Sequence, residues 1–98
     1  MAFIDDYDFE LLRNEAENLV LTELGRQLEP LHGKICTCND CVVDMAAMAL
    51  NNVKPLYRFS ILGSLYAAQA MEDDEYGESV RQSVGQAIER VSRNPSHD

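Results

Sequence analysis

A chain of 98 residues is one small domain's worth of sequence, and at that size roughly a third or more of the surface of the unfolded chain stays exposed after folding, so core area is scarce. The hydrophobic content of 46% with five glycines and three prolines excludes a disordered chain, and the absence of any apolar window of about 18 residues excludes a membrane-spanning helix. A formal charge of −9 repels the phosphate backbone of nucleic acids and anionic lipid headgroups, which argues against direct DNA or membrane binding.

The N-terminus, Met1 to Asp8, lacks a basic stretch followed by an apolar one, so no secretory signal is read and the cytoplasm is the expected compartment. Over residues 8–28, Phe9, Leu12, Ala16, Leu19, Val20, Leu24 and Leu28 recur at steps of mostly three and four, which predicts a long amphipathic helix. Leu11 and Leu21 fall off that stripe and suggest a second contact surface, while Asp5, Asp6 and Asp8 are candidate caps. Pro30 and Gly33 break the period, so residues 29–35 read as a connecting loop.

All three cysteines then fall within six residues, Cys36-Thr37-Cys38-Asn39-Asp40-Cys41. Asn39 or Asp40 can cap a second helix over 40–52, whose Val42, Met45, Met48, Ala49 and Leu50, with Val53, make it apolar nearly all round. Such a helix is buried from several sides, as a central helix or as one at the interface of a homodimer. Asn51, Asn52 and Pro55 end it. A short extended piece is expected around 57–61, followed by helix over 63–71 and an acidic turn at Glu72-Asp73-Asp74-Glu75. Tyr76, Val80, Val84, Ala87, Ile88 and Val91 predict a last amphipathic helix to about residue 92. The fold class is therefore mainly α: a small compact domain of three to four helices in residues 1–98, ordered over about 8–92, with residues 93–98 as a tail.

The spacing C-x-C-x2-C carries the clearest chemistry. In a turning segment that enters a helix, positions i, i+2 and i+5 can converge, and three soft thiolates suit Zn²⁺ in a tetrahedral set. An odd number of cysteines in a reducing compartment also fits metal ligation better than a disulfide framework. The other use of three reduced cysteines is as small buried hydrophobes. A structural zinc needs a fourth donor: His32, four residues before Cys36, is the candidate, with Asp40, Asp44, water or a second chain as rivals and His97 in the tail. A redox reading of Cys38-x-x-Cys41 lacks the βαβ unit in which that motif works. No Ser/His/Asp set, H-E-x-x-H or glycine-rich phosphate loop is present, so an enzyme is not expected.

The sequence resembles the ComFB family of late competence development proteins. Asn14-x2-Glu17-x2-Val20, Cys36-Thr37-Cys38-x2-Cys41-x2-Asp44, Ala49-Leu50-Asn51 and Pro55-x-Tyr57 carry the likeness, over roughly residues 10–63. The acidic ends and the last helix lie outside it. The resemblance implies a mainly helical, dimeric bacterial protein with a cysteine-bound zinc, some members of which act as cyclic di-GMP receptors. With three clustered cysteines, this chain departs from a four-cysteine site built in one protomer.

Two functions follow. One is a non-enzymatic signalling module that binds cyclic di-GMP as a dimer and relays to a protein partner, with Tyr57 and Arg58 as the ligand-binding residues and Arg81 or the Arg90/Arg93 pair as the next candidates. The other is a zinc-stabilised adaptor linked to competence without nucleotide binding. Asn14 and Glu17, three apart on one helix face, are expected to bond the loop that carries the cysteines.

Overall fold

A computed structural model describes residues 2–58, 65 and 69–95. The described chain is mainly helical. It runs through a short helix α1 (Ala2–Asp5), a 3-10 turn at Phe9–Leu11, a strand β1 (Arg13–Asn14), helix α2 (Ala16–Leu28), a second 3-10 turn at Glu29–Leu31, helix α3 (Asn39–Leu50), a strand β2 (Tyr57–Arg58) and helix α4 (Asp74–Arg93). Residues 69–72 are helical just before α4; the remainder of the helix expected over 63–71, apart from Leu65, and the extended piece beyond residue 58 lie outside the described residues.

The long helix expected over 8–28 begins eight residues late, at Ala16. The reason is Asn14. Its Oδ1 accepts hydrogen bonds from the backbone N–H of Ala16 at 3.1 Å and of Leu56 at 2.8 Å, while the N–H of Glu15 donates to the Leu56 carbonyl at 2.8 Å. A short polar side chain that bonds nearby backbone competes with helix formation, and here it also ties in a distant segment. Residues 13–14 therefore pair antiparallel with 57–58, with Arg13 opposite Arg58 and Asn14 opposite Tyr57. Asn14 fastens this pair of strands, not the cysteine loop, and Glu17 is exposed on α2.

Helix α2 buries Ala16, Val20 and Leu24, each four residues apart. Helix α3 buries Cys41, Met45 and Ala49 at the same spacing, with Ala46 beside them, and α4 buries Val80, Val84, Ala87, Ile88 and Val91. These three stripes and Val53 form one core, so most of the all-round apolarity of α3 is taken up within the chain. Met48 is half-buried against that core, whereas Val43 and Ala47 face outward.

Polar ties fix how the helices sit. Glu23 is buried on α2 and accepts from Arg26 Nε at 3.0 Å and Gln27 Nε2 at 2.7 Å; the same Gln27 amide donates to the Arg81 carbonyl of α4 at 3.1 Å. The Tyr76 hydroxyl donates to the Lys54 carbonyl and the Ser83 hydroxyl to the Asn52 carbonyl, fastening α4 to the segment after α3. At the end of α3, the Asn51 N–H reaches the Ala47 carbonyl and the Asn52 side chain covers the Met48 carbonyl. The acidic turn before α4 has a defined use: Asp73 Oδ1 accepts from the Tyr76 N–H at 3.0 Å as a helix cap.

Candidate metal centre

The loop that delivers the thiols is short and shaped by one glycine. After the 3-10 turn ends at Leu31, Gly33 adopts a φ of 84°, in the region that L side chains rarely enter, and the Lys34 N–H closes back on the Leu31 carbonyl at 2.9 Å. His32 and Ile35 form a parallel bridge across this turn. Ile35 and Cys36 then pack against the core, and the chain enters α3 through an extended Cys38.

The cap of α3 is not Asn39 or Asp40. Cys38 takes the position: its Sγ accepts from the Cys41 N–H at 3.4 Å and its carbonyl from the Val42 N–H at 3.0 Å. This single turn brings the Sγ atoms of Cys36, Cys38 and Cys41 to within 4.8 Å of one another. Cys41 is fully buried, Cys36 half-buried and Cys38 exposed, so the group is rooted in the core and open on one side.

Local hydrogen bonds favour the thiolate form of Cys36. The Cys36 thiol is held below its ordinary value chiefly by the backbone N–H of Cys38, then by the Cys38 side chain; partial burial opposes this, and the Cys41 side chain adds a smaller lowering. Three thiolates on one tetrahedral Zn²⁺, with bonds of about 2.3 Å, stand about 3.8 Å apart, so the present spacing needs only a small contraction. The donor set fits a soft divalent ion. Cys36, Cys38 and Cys41 would hold it, and it would supply a cross-link between the loop and α3.

His32 is not brought into this group. Among the described residues, no histidine or carboxylate joins the three thiols; His32 is exposed at the end of the 3-10 turn, and Asp40 and Asp44 line a shallow surface hollow with Asn39, Val43 and Ala47. His32 follows the 3-10 turn, and its backbone is paired with Ile35.

Tyr57 lies elsewhere. It is exposed and lines a cavity of about 320 Å³ together with Leu12, Arg13, Asn14 and Asn18, and with three carboxylates, Glu10, Glu15 and Glu17. Arg81 and Arg93 are engaged on α4 with Glu78 and Glu89. The sequence reading missed Glu23, the buried carboxylate that orders α2 and, through Gln27, reaches α4; the spacing Glu23-x2-Arg26-Gln27 on one helix face is the signal that could have found it.

The comparisons agree with this architecture. A family model described as late competence development protein ComFB matches residues 13–95, and so takes in α4 as well as the cysteine segment. The competence protein ComFB of Bacillus subtilis (strain 168) is 28% identical over 86 residues, covering 88% of this chain and 87% of that protein. The structure described as the structural characterization of the late competence protein ComFB from Bacillus subtilis superposes with a TM-score of 0.74 at 28% identity, over 87% of this chain and 92% of that one. With cysteines, strand pair and three core helices all inside the matched span, the chain belongs to the ComFB family.

Proposed function

We propose that this chain is a non-enzymatic, cytoplasmic interaction module whose three cysteines hold one structural Zn²⁺. The observation that supports this reading is the convergence of three Sγ atoms within 4.8 Å at the start of the central helix. The ion ties the exit of the α2 loop to α3, at little cost in chain entropy because the thiols are close in sequence and already gathered by a capped turn. The fourth position falls to water, a carboxylate or a donor from a second protomer. The test is elemental analysis of protein purified without a metal-binding tag. About one zinc per chain is expected; less than about a tenth, with three titratable thiols in the folded state, leaves the cysteines as core residues.

A homodimer is part of this proposal, with the outward side of α3 at its interface. Val43, 57% exposed, is the residue to test, because its substitution leaves the chain's own core intact. Light scattering on the wild type and on Val43→Glu decides it: a mass of a single 11.0 kDa chain for the wild type removes the dimer.

A second reading, a cyclic di-GMP receptor that relays to a protein partner, is favoured by one arrangement: Tyr57 opens onto the cavity beside Arg13, and the backbone register pairs Arg13 with Arg58. Aromatic faces stack guanine and guanidinium groups meet phosphate. The three glutamates in the same cavity oppose an anion, which ranks this reading second. Calorimetric titration with cyclic di-GMP tests it. Arg58→Ala is expected to weaken binding by about 1.5–3 kcal/mol, and no heat at large ligand excess sinks the idea.

A further inference from the structure

The N-terminal arm, residues 2–12, lies ahead of the stretch that the family model matches and contributes nothing to the buried core. Its sequence is nonetheless rich in large apolar side chains. Phe3, Tyr7 and Phe9 stack on one another with ring centroids 5.3–5.9 Å apart, in tilted geometry, and so hold the arm in a defined shape. Their outer faces stay open: Phe3 is 67% and Tyr7 61% exposed, and Leu11 is 55% exposed beside them. With Phe9 and Leu12 they line an apolar groove of about 570 Å³.

Exposed apolar clusters with polar rims mark interaction sites. Asp8 lines the groove, and Asp6 and Glu10 are exposed on the same arm, within a chain of formal charge −9.

We propose that this groove docks a basic amphipathic helix of a partner protein, its apolar face in the cleft of Phe3, Tyr7, Phe9 and Leu11 and its Lys and Arg side chains over Asp6, Asp8 and Glu10. Charge decides among the occupants. A second copy of this chain would set like-charged rims against each other, and an anionic lipid surface would meet the same repulsion, whereas a basic helix gains on both counts. The inference supplies a partner chemistry for the interaction module proposed above and rests on that reading. It does not depend on metal or nucleotide, so zinc content and partner docking fail or succeed separately.

The test uses the full chain and a fluorescently labelled 18-residue peptide with leucine and lysine at helical spacing, read by anisotropy. Micromolar binding that weakens with added salt is expected. Phe3→Ser with Phe9→Ser should weaken it about tenfold or more, as loss of aromatic anchors does at interfaces, and Asp6→Asn, Asp8→Asn, Glu10→Gln together should weaken it and flatten the salt dependence. Unchanged melting curves for both variants show that the core is intact. The proposal is overturned if the aromatic variant binds as well as the wild type, if a peptide with glutamate in place of lysine binds equally, or if light scattering shows the arm engaged in self-association.

Discussion

At the scale of single residues, two helical glycines have opposite roles. Gly25 lies within α2 with nothing within 4 Å of where a Cβ would stand. Gly25→Ala is therefore expected to stabilise the protein by about 0.5–1 kcal/mol, the difference in helix propensity. Gly77, in the first turns of α4, faces the Met71 carbonyl, which a Cβ would approach to 2.8 Å. There backbone must move, and over-packing of this kind costs about 1–3 kcal/mol, more than the propensity gain. Gly77→Ala should lower stability; chemical denaturation of the two variants side by side checks both signs. Asn14 is the third residue of this kind. Asn14→Ala leaves the N–H groups of Ala16 and Leu56 without their shared acceptor and should cost about 1–3 kcal/mol, with loss of the β1–β2 pairing visible in amide exchange.

Among the elements, α2 carries a pH-dependent contribution. The Glu23 carboxyl is held below its ordinary value, first by the hydrogen bond from Arg26 and further by Gln27, against the opposing effect of burial. A carboxyl lowered in the folded state adds stability that is complete above the unfolded carboxylate value of about 4.3 and is lost as pH falls through the lower folded value. The stability difference between wild type and Glu23→Gln should accordingly be largest near neutrality and shrink in acid, as read by melting temperature across pH. The α3 terminus behaves in the same sense for a different reason: thiols must lose protons to bind zinc, so the proposed metal affinity falls as pH drops. A strong chelator should lower the melting temperature of the wild type and leave that of Cys36→Ser with Cys38→Ser unchanged, and equal melting of the wild type with and without chelator would count against the ion.

For the whole molecule, the core depends on α4. Its stripe Val80, Val84, Ala87, Ile88 and Val91 closes over both α2 and α3, and Met45 of α3 is fully buried in the core they share. Met45→Ala should cost about 2–5 kcal/mol, a large share of the stability expected of so small a domain, whereas Val43→Glu on the outward face should leave the melting temperature of the monomer nearly unchanged. The two variants separate folding from association, which Met48 cannot do because it is half-buried in the chain's own core.

The sequence by itself determined the elements that rest on local pattern. The periodicity of α2 from Ala16, of α3 and of α4 was legible because each helix buries a stripe with period near 3.6, and the cysteine cluster was legible because three donors in six residues can be brought together by one turn. Family membership rested on the same local spacing. Only the tertiary structure decided where long-range partners override the pattern: residues 8–15 carry a helical stripe, yet Asn14 and Glu15 bond to Leu56, 41 or 42 residues away, and a backbone pairing of that kind leaves no trace in the local period. It also decided that Cys38, not Asn39 or Asp40, caps α3, that His32 stays apart from the thiols, and that the apolar residues of the arm remain on the surface. Each of these depends on which segment lies nearest in space, and a hydrophobic period reports only that a face is covered, not by what.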